Sequence, residues 1–139
     1  MTADEVINTL GLKPHPEGGH YAETHRIIAA IGARSPGTAI YYLLGRGDRS
    51  HWHKVDATEI WHFYSGAPLE LSLSPGRGVE TRMLGPDLTS GQRPQMIVPP
   101  GQWQSARSLG DWTLVGCTVS PGFEFSGFEM APPGWTPAK

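Results

Sequence analysis

The chain has 139 residues, of which 38% are hydrophobic and 17% are charged, a length and composition that predict one compact domain over residues 1–139. With 11 basic and 13 acidic side chains and a net charge of −2, there is no electrostatic reason to expect a nucleic acid or an anionic membrane as partner. No apolar run reaches the roughly 20 residues that span a bilayer, and residues 1–5 lack the features of a signal peptide, so we expect a cytoplasmic protein.

The predicted elements are one short helix followed by strands. Thr2 and Glu5 have the spacing of a capping box, and apolar residues continue to Leu10 before Gly11, which predicts a helix at the start. Strand-length segments then recur between glycine, proline, aspartate and serine, as is typical of a β-sandwich or a β-barrel. The proline-rich residues 131–139 are expected to form an extended flap or to fray. The predicted strands cover residues 20–28, 38–44, 50–53, 58–64, 69–73, 79–84, 95–98, 102–107, 112–119 and 123–130.

The histidines point to a candidate site, because all six lie in the first 62 residues. His51 and His53 are two apart on a predicted strand, so their rings are expected on the same face. If that strand forms a hairpin with the next one, Glu59 approaches both rings. Two imidazoles and a carboxylate can hold a divalent metal, or they can transfer protons with a histidine as base and the carboxylate orienting it. A third interpretation is an exposed edge on which Glu59 simply pairs with Lys54.

The alternation along the strand of Glu59 predicts what surrounds this carboxylate. If Glu59 points inward, so do Trp61 and Phe63, while His62 faces the other side. A carboxylate between two aromatic rings loses hydration, which raises its pKa and suits it to proton transfer. His62 is expected outside the pocket, hydrogen-bonded between sheets or lying at a subunit contact.

Two motifs resemble those of the cupin superfamily, which are small β-barrels of the jelly-roll type. The first cupin motif joins a glycine, a His-x-His pair, a glutamate and a second glycine, and this chain departs from its spacing by one extra residue before the glutamate. The second motif ends in a histidine ligand, which Gln104 replaces here, and an amide oxygen is a weaker ligand than imidazole for softer first-row metals. The residues that match the first motif are Gly45, His51, His53, Glu59 and Gly66.

Longer segments resemble one subfamily of single-domain cupins, a domain of unknown function similar in fold to sugar-nucleotide epimerases of the RmlC type. They cover residues 12–21, 50–54, 59–66, 68–69, 98–104 and 119–125. The resemblance implies an all-β cupin double-stranded β-helix with one short N-terminal helix. It also implies that Glu17 and Tyr21 run beside the barrel mouth, and it supports mainly His53, Glu59 and Gln104 as site residues.

Three hypotheses for the function of a small-molecule-binding cupin stay open. The first is an epimerase-like or isomerase-like enzyme on a carbohydrate-type or other small polar substrate. In this hypothesis His53 is the base, and Glu59 orients it or takes part in the proton transfer. The second is a metal-dependent enzyme, and the third is a non-catalytic binding or sensing module. One divalent ion would be held by His51, His53, Glu59 and Gln104. The expected ligand-binding residues are Glu17, Tyr21, Trp61, Phe63 and Gln104.

Two further expectations concern tryptophans. Trp103 is a candidate wall of the pocket, although its strand parity is opposite to that of Gln104 and also suits a core position. We expect a homodimer, because similar small cupins commonly dimerise. Five tryptophans in a chain of this size also exceed what a small barrel core needs, and aromatic residues are enriched at interfaces.

Overall fold

The computed structural model describes all 139 residues and contains one α-helix, eleven strands and two short 3-10 helices. None of the helices is long and apolar enough to span a membrane. The α-helix is α1 (Ala3–Leu10), and the 3-10 helices are Leu88–Ser90 and Phe125–Gly127. The strands are β1 (Lys13–Pro14), β2 (His20–Arg26), β3 (Thr38–Gly45), β4 (Arg49–Val55), β5 (Thr58–Gly66), β6 (Leu69–Ser74), β7 (Glu80–Leu84), β8 (Gln95–Val98), β9 (Trp103–Ser108), β10 (Trp112–Ser120) and β11 (Phe128–Met130).

The helix begins and ends where the sequence predicts. The hydroxyl of Thr2 accepts a hydrogen bond from the Glu5 backbone N–H at 3.2 Å, and the Glu5 carboxylate accepts one from the Thr2 N–H. Gly11 ends the helix in the left-handed region at φ 67°, where a glycine has no Cβ to strain. The helix packs through Val6 against Leu43 of β3.

The strands form two antiparallel sheets, as predicted for an all-β barrel. The six-stranded sheet has the order β1-β2-β3-β10-β5-β8, and the five-stranded sheet has the order β11-β4-β9-β6-β7. Apolar residues of alternating strand positions meet between the sheets, since successive side chains of a strand point to opposite faces. This main core contains Tyr42, Leu44, Trp61, Leu69, Leu71, Leu73, Leu84, Met96, Val98, Ala106, Val115 and Cys117.

The main core occupies one end of the barrel, and the candidate site occupies the other. On β3, Tyr42 and Leu44 belong to the core, whereas Thr38 and Ile40 line a cavity. On β10, residues 115 and 117 belong to the core and Val119 lines the same cavity. The same strands therefore supply apolar packing at one end and a hollow at the other.

The strands of His53 and Glu59 do not form the hairpin considered from the sequence. β4 pairs with β9 and β11, whereas β5 pairs with β10 and β8 in the other sheet. The turn between β4 and β5 carries the chain from one sheet to the other. Ala57 in this turn is buried and packs with Val55 and Val119. His53 and Glu59 consequently face each other from opposite sheets.

The predicted strand over residues 123–130 is correct only for Phe128–Met130. The preceding residues pair with side chains instead of a neighbouring strand: the Phe123 N–H donates to the Thr38 hydroxyl at 2.9 Å, and the Phe123 carbonyl accepts from the Arg26 guanidinium at 3.0 Å. A 3-10 helix, Phe125–Gly127, then leads into β11.

Residues 131–139, which we call the C-terminal strap, lie across the five-stranded sheet and contain one turn, in which the Trp135 N–H donates to the Pro132 carbonyl at 3.0 Å. At its start, the Ala131 N–H donates to the Trp52 carbonyl at 2.9 Å. In its middle, the Trp135 ring stacks near the Trp103 ring, with centroids 4.6 Å apart. At its end, the Ala138 carbonyl accepts from the N–H of Gly78, between β6 and β7. Both ends of the strap are thus fastened to the barrel.

Thr2 provides a test of the helix boundary. We expect Thr2→Ala to lower the free energy of unfolding by about 1 kcal/mol, because the N–H groups of the first turn lose their side-chain acceptor. Thr2→Ser keeps the hydroxyl and is the matched control. Urea unfolding of the three proteins measures the effect, and equal midpoints for Thr2→Ala and wild type would contradict the cap.

Candidate functional site

The open end of the barrel encloses a cavity of about 130 Å³, which has room for several water-sized groups. Both sheets and the irregular segment before β11 contribute to its wall. Its buried titratable side chains are His15, Glu17, His53 and Glu59, and its aromatic wall is formed by Phe123, Phe125 and Phe128.

Glu17 reaches the cavity from a tight turn between β1 and β2. The turn is closed by the His15 N–H, which donates to the Gly19 carbonyl at 2.9 Å. Gly18 and Gly19 have φ values of 112° and 74°, and a Cβ on Gly18 would lie 2.1 Å from the Arg49 carbonyl oxygen. Only glycine allows the turn to approach the strands this closely, so the two glycines following Glu17 set its position in the barrel.

His53 lies at the centre of the site, and its Nδ1 contacts two acceptors. One is the Glu17 carboxylate, with Oε2 at 2.7 Å, and the other is the His51 carbonyl oxygen at 2.8 Å. Because neither oxygen can donate, Nδ1 carries the proton, which leaves Nε2 as the nitrogen available to a ligand. Sequence reasoning expected Glu59 to orient His53, but the carboxylate in contact with its ring is that of Glu17.

Glu59 lies on β5 and lines the cavity from the opposite sheet. Its Oε1 accepts a hydrogen bond from Nε2 of Gln104 at 2.8 Å. The amide oxygen of Gln104 in turn accepts from Nε1 of Trp61 at 2.8 Å. A tryptophan N–H can only donate, so this contact fixes the orientation of the amide. Gln104 and Trp61 therefore lie behind Glu59 and hold it, and neither lines the cavity.

Burial and charge separate the protonation states of these groups. Burial raises the pKa of Glu59 to about 7. Burial alone would lower the pKa of His53, but the Glu17 charge and hydrogen bond, with the charge of Glu59, outweigh it and raise this pKa to about 9. Burial alone would raise the pKa of Glu17, but the charge and hydrogen bond of His53 hold this pKa below the usual value. At neutral pH the site thus contains the His53 imidazolium, the ionised Glu17 carboxylate and the Glu59 carboxyl group close to its titration midpoint.

His51 is not brought into the cavity. Its Nε2 donates to the Pro132 carbonyl of the C-terminal strap at 3.0 Å. The expectation that His51 and His53 share a face is wrong because the pairing of β4 with β9 shifts between Ser50 and His53, and an irregularity of this kind breaks the alternation of side chains.

The residues of this site do not fit the expected metal ion. Of the four predicted ligands, His51 is turned to the strap, and both polar groups of the Gln104 amide are engaged by Trp61 and Glu59. Only His53 and Glu59 remain at the cavity, and no group of three or more histidine, cysteine, aspartate and glutamate side chains is arranged to hold a metal.

Only some of the residues predicted to form the wall of the pocket line the cavity in the structure. Tyr21 lines the cavity beside His15, with ring centroids 4.5 Å apart, and Glu17 also lines it. Trp61 is 1% exposed and belongs to the main core, against which Phe63 packs. Trp103 lies under the C-terminal strap.

Sequence reasoning missed the three phenylalanines of the aromatic wall. They come from residues 123–128, which the sequence pattern assigned to a single strand. Their spacing was the available signal, since Phe125 and Phe128 are three residues apart and cannot share a face of one strand. The His53 ring lies 5.4 Å from that of Phe128, centroid to centroid.

Comparison with known proteins places this geometry in a family. The family described as "Cupin superfamily (DUF985)" matches residues 4–131. The chain belongs to this cupin family. The resemblance noted in the sequence and the jelly-roll fold that it implied are confirmed. Among curated proteins, none matches the chain.

Solved structures agree with this assignment. A protein from Shewanella oneidensis is 40% identical, with a TM-score of 0.89 over 94% of this chain and 85% of its own. A hypothetical protein from Leishmania major is 29% identical, with a TM-score of 0.83 over 94% of this chain and 88% of its own. Oxalate decarboxylase from Bacillus subtilis shares the cupin fold alone: it is 12% identical, with a TM-score of 0.64 over 84% of this chain and 29% of its own.

The raised pKa of Glu59 predicts how stability depends on pH. The unfolded chain releases this proton near 4.5, whereas the folded cupin keeps it to about 7, so raising the pH across this range favours unfolding. Glu59→Gln removes the titrating group and keeps an acceptor for Gln104. We expect the free energy of unfolding of wild type, relative to this variant, to fall by on the order of 2 kcal/mol between these values.

Urea unfolding at several pH values measures this difference. Glu80→Gln, which removes an exposed carboxyl from β7, is the matched control and is expected to run parallel to wild type. Parallel curves for Glu59→Gln and wild type would show that Glu59 titrates normally.

Proposed function

We propose that this cupin binds a small polar molecule in the cavity and transfers a proton to and from one of its carbon atoms, as isomerases and epimerases do. The observation that carries the proposal is a pair of buried acid–base groups, His53 and Glu59, on opposite sheets of one cavity. Burial alone would lower the pKa of His53, but Glu17 and Glu59 raise it to about 9, and burial raises the pKa of Glu59 to about 7. Enzymes assign acid and base roles by separating pKa values in this way.

The protonation states favour particular roles. Glu59, when ionised, accepts the proton from a carbon next to a carbonyl group, and the C–H electron pair moves toward the carbonyl oxygen. His53, held by Glu17, donates its Nε2 proton to that oxygen as the negative charge develops. Return of the proton to the neighbouring carbon gives the isomer. Return to the same carbon gives the epimer when a second group, for which Tyr21 is the candidate, delivers the proton to the opposite face. His53 is the acid of the first step, whereas sequence reasoning made it the base.

The cavity wall favours a substrate of limited size with one apolar side. The rings of Phe123, Phe125 and Phe128 offer contact area to a carbon skeleton, and Tyr21 offers a phenol to a hydroxyl or carbonyl group. A volume of about 130 Å³ is close to that of a cavity that holds a benzene-sized molecule, so it suits a small polar compound of about that size. In this proposal Glu17 and Tyr21 are ligand-binding residues, and Gln104 acts by positioning Glu59.

The second candidate function is a binding or sensing module without catalysis. The contact of 2.7 Å between His53 and Glu17 favours it, because the two opposite charges balance each other without any ligand. In such a module the same cavity selects the ligand, and no bond to carbon is broken.

Hydrogen exchange at carbon distinguishes the two functions. We expect wild-type protein in D₂O to exchange a C–H hydrogen of at least one small hydroxy-carbonyl compound, chosen from a panel by thermal shift and followed by proton NMR. Glu59→Gln and His53→Gln are each expected to slow the exchange by about 100-fold or more, since general acid–base groups contribute that much. The matched control is His62→Gln, which changes a histidine outside the cavity.

The result that contradicts catalysis is equally specific. A compound that raises the melting temperature of wild type but not of His53→Gln, and that shows no exchange with either protein, would favour the binding module. Exchange that persists in both cavity variants would place the chemistry elsewhere.

A metal-dependent version is separated by chelation. We expect EDTA treatment followed by gel filtration to leave the exchange rate and the melting temperature within error of the untreated protein, because the donor set around His53 is incomplete. Elemental analysis is the accompanying measurement. Stoichiometric metal in wild type that is lost in His53→Ala would contradict this expectation.

The homodimer stays a prediction. Its compositional support is weaker than the sequence suggested, because the tryptophans have partners within the chain. Trp61 lies in the core, Trp112 donates to the Met1 carbonyl at 3.0 Å, and Trp52, Trp103 and Trp135 pack together. Sedimentation at micromolar concentration tests the dimer directly.

A further inference from the structure

His51, a residue of β4, contacts both members of the Glu17–His53 pair through its backbone. Its N–H donates to the Glu17 carbonyl at 2.8 Å, and its carbonyl accepts from Nδ1 of His53 at 2.8 Å. One residue therefore locates both the turn that carries Glu17 and the ring that Glu17 holds. A displacement of His51 would move the two groups relative to each other.

The five-stranded sheet does not hold this residue from the β9 side. Ser50 pairs with Ala106 and His53 pairs with Gln104, but the register shifts between them, so residues 51 and 52 lack regular partners on β9. An irregular strand segment of this kind loses part of its ladder of hydrogen bonds. Besides the Glu17 carbonyl, which accepts from the His51 N–H, the other edge of β4 holds the segment, where β11 pairs with it and Met130 is the partner of His53.

The C-terminal strap continues this edge beyond β11 and contacts residues 51 and 52. The Ala131 N–H donates to the Trp52 carbonyl at 2.9 Å, and the Pro132 carbonyl accepts from Nε2 of His51 at 3.0 Å. The strap is itself fastened farther along, where Trp135 packs on Trp103 with centroids 4.6 Å apart and near Trp52 at 6.2 Å.

We propose that the C-terminal strap, acting through His51, is a positioning element that fixes the His53 ring against Glu17. Neither the strap nor the His51 ring lines the cavity, so both act through His53 and neither touches a ligand. The proposal rests on the proposed function in taking His53 and Glu17 as the working pair, but its test needs no substrate.

Nitrogen NMR of the histidine side chains tests the proposal. In wild type we expect long-range ¹H–¹⁵N spectra to show a proton on Nδ1 of His53 and a titration near 9. His51→Leu removes one of the two donors to the Pro132 carbonyl, the other being the Trp135 N–H. We expect it to lower the pKa of His53 by about one unit, a tenfold change in proton affinity. His51→Gln places an amide N–H near the position of Nε2, and we expect it to restore most of the shift.

Two further variants distinguish positioning by the strap from a direct effect of the His51 substitution on His53. Trp135→Ala loosens the strap without touching His51 or His53, and we expect it to lower the pKa of His53 in the same direction. His62→Leu, a histidine change on the other sheet, is the matched control and is expected to leave it unchanged. If His51→Leu does not fold, as judged by amide dispersion, Trp135→Ala and His51→Gln still decide the question.

The proposal is overturned if folded Trp135→Ala and the folded His51 variants titrate His53 as wild type does. It is also overturned if Nδ1 of His53 carries no proton in wild type at neutral pH. The outcome is separable from that of the proposed function. A shifted His53 titration with no carbon exchange in wild type supports the positioning element and contradicts the enzyme, and the reverse result supports the enzyme alone.

Discussion

The contact between Glu17 and His53 is the interaction on which the site depends. Removing two charged groups from water costs several kcal/mol for each ion, and the cost is recovered only if their geometry is good and their other polar atoms are satisfied. Here the two ions lie 2.7 Å apart, and the His51 carbonyl accepts from the same nitrogen. The pair therefore requires a turn that enters the barrel, an irregular strand and a fixed ring.

Each requirement is met by a different part of the chain. Gly18 and Gly19 let the turn of Glu17 come within a distance of the strands that a side chain would forbid. The register shift of β4 places a carbonyl group beside the His53 ring. Glu59 is held from behind by Gln104, so that a single hydrogen-bonded row runs from the core to the cavity.

The division of the barrel explains how a small domain tolerates this many buried polar groups. Burial of apolar side chains is the dominant stabilising contribution in folding, and here it is concentrated at one end, where Trp61 and the leucines of β6 meet. The other end contributes less packing and contains the ionisable groups. Stability and function use the same strands at different positions along their length.

The sequence by itself determined the helix with its cap, most strand positions and the shared face of Glu59, Trp61 and Phe63, because these follow from local spacing and from the alternation of a strand. Motif spacing also indicated the cupin family. Tertiary structure decided which carboxylate touches His53, that His51 leaves the site and that phenylalanines of residues 123–128 form the wall. Those features depend on a register shift and on contacts between residues far apart in the chain, such as Glu17 and His53, and no local pattern encodes either one.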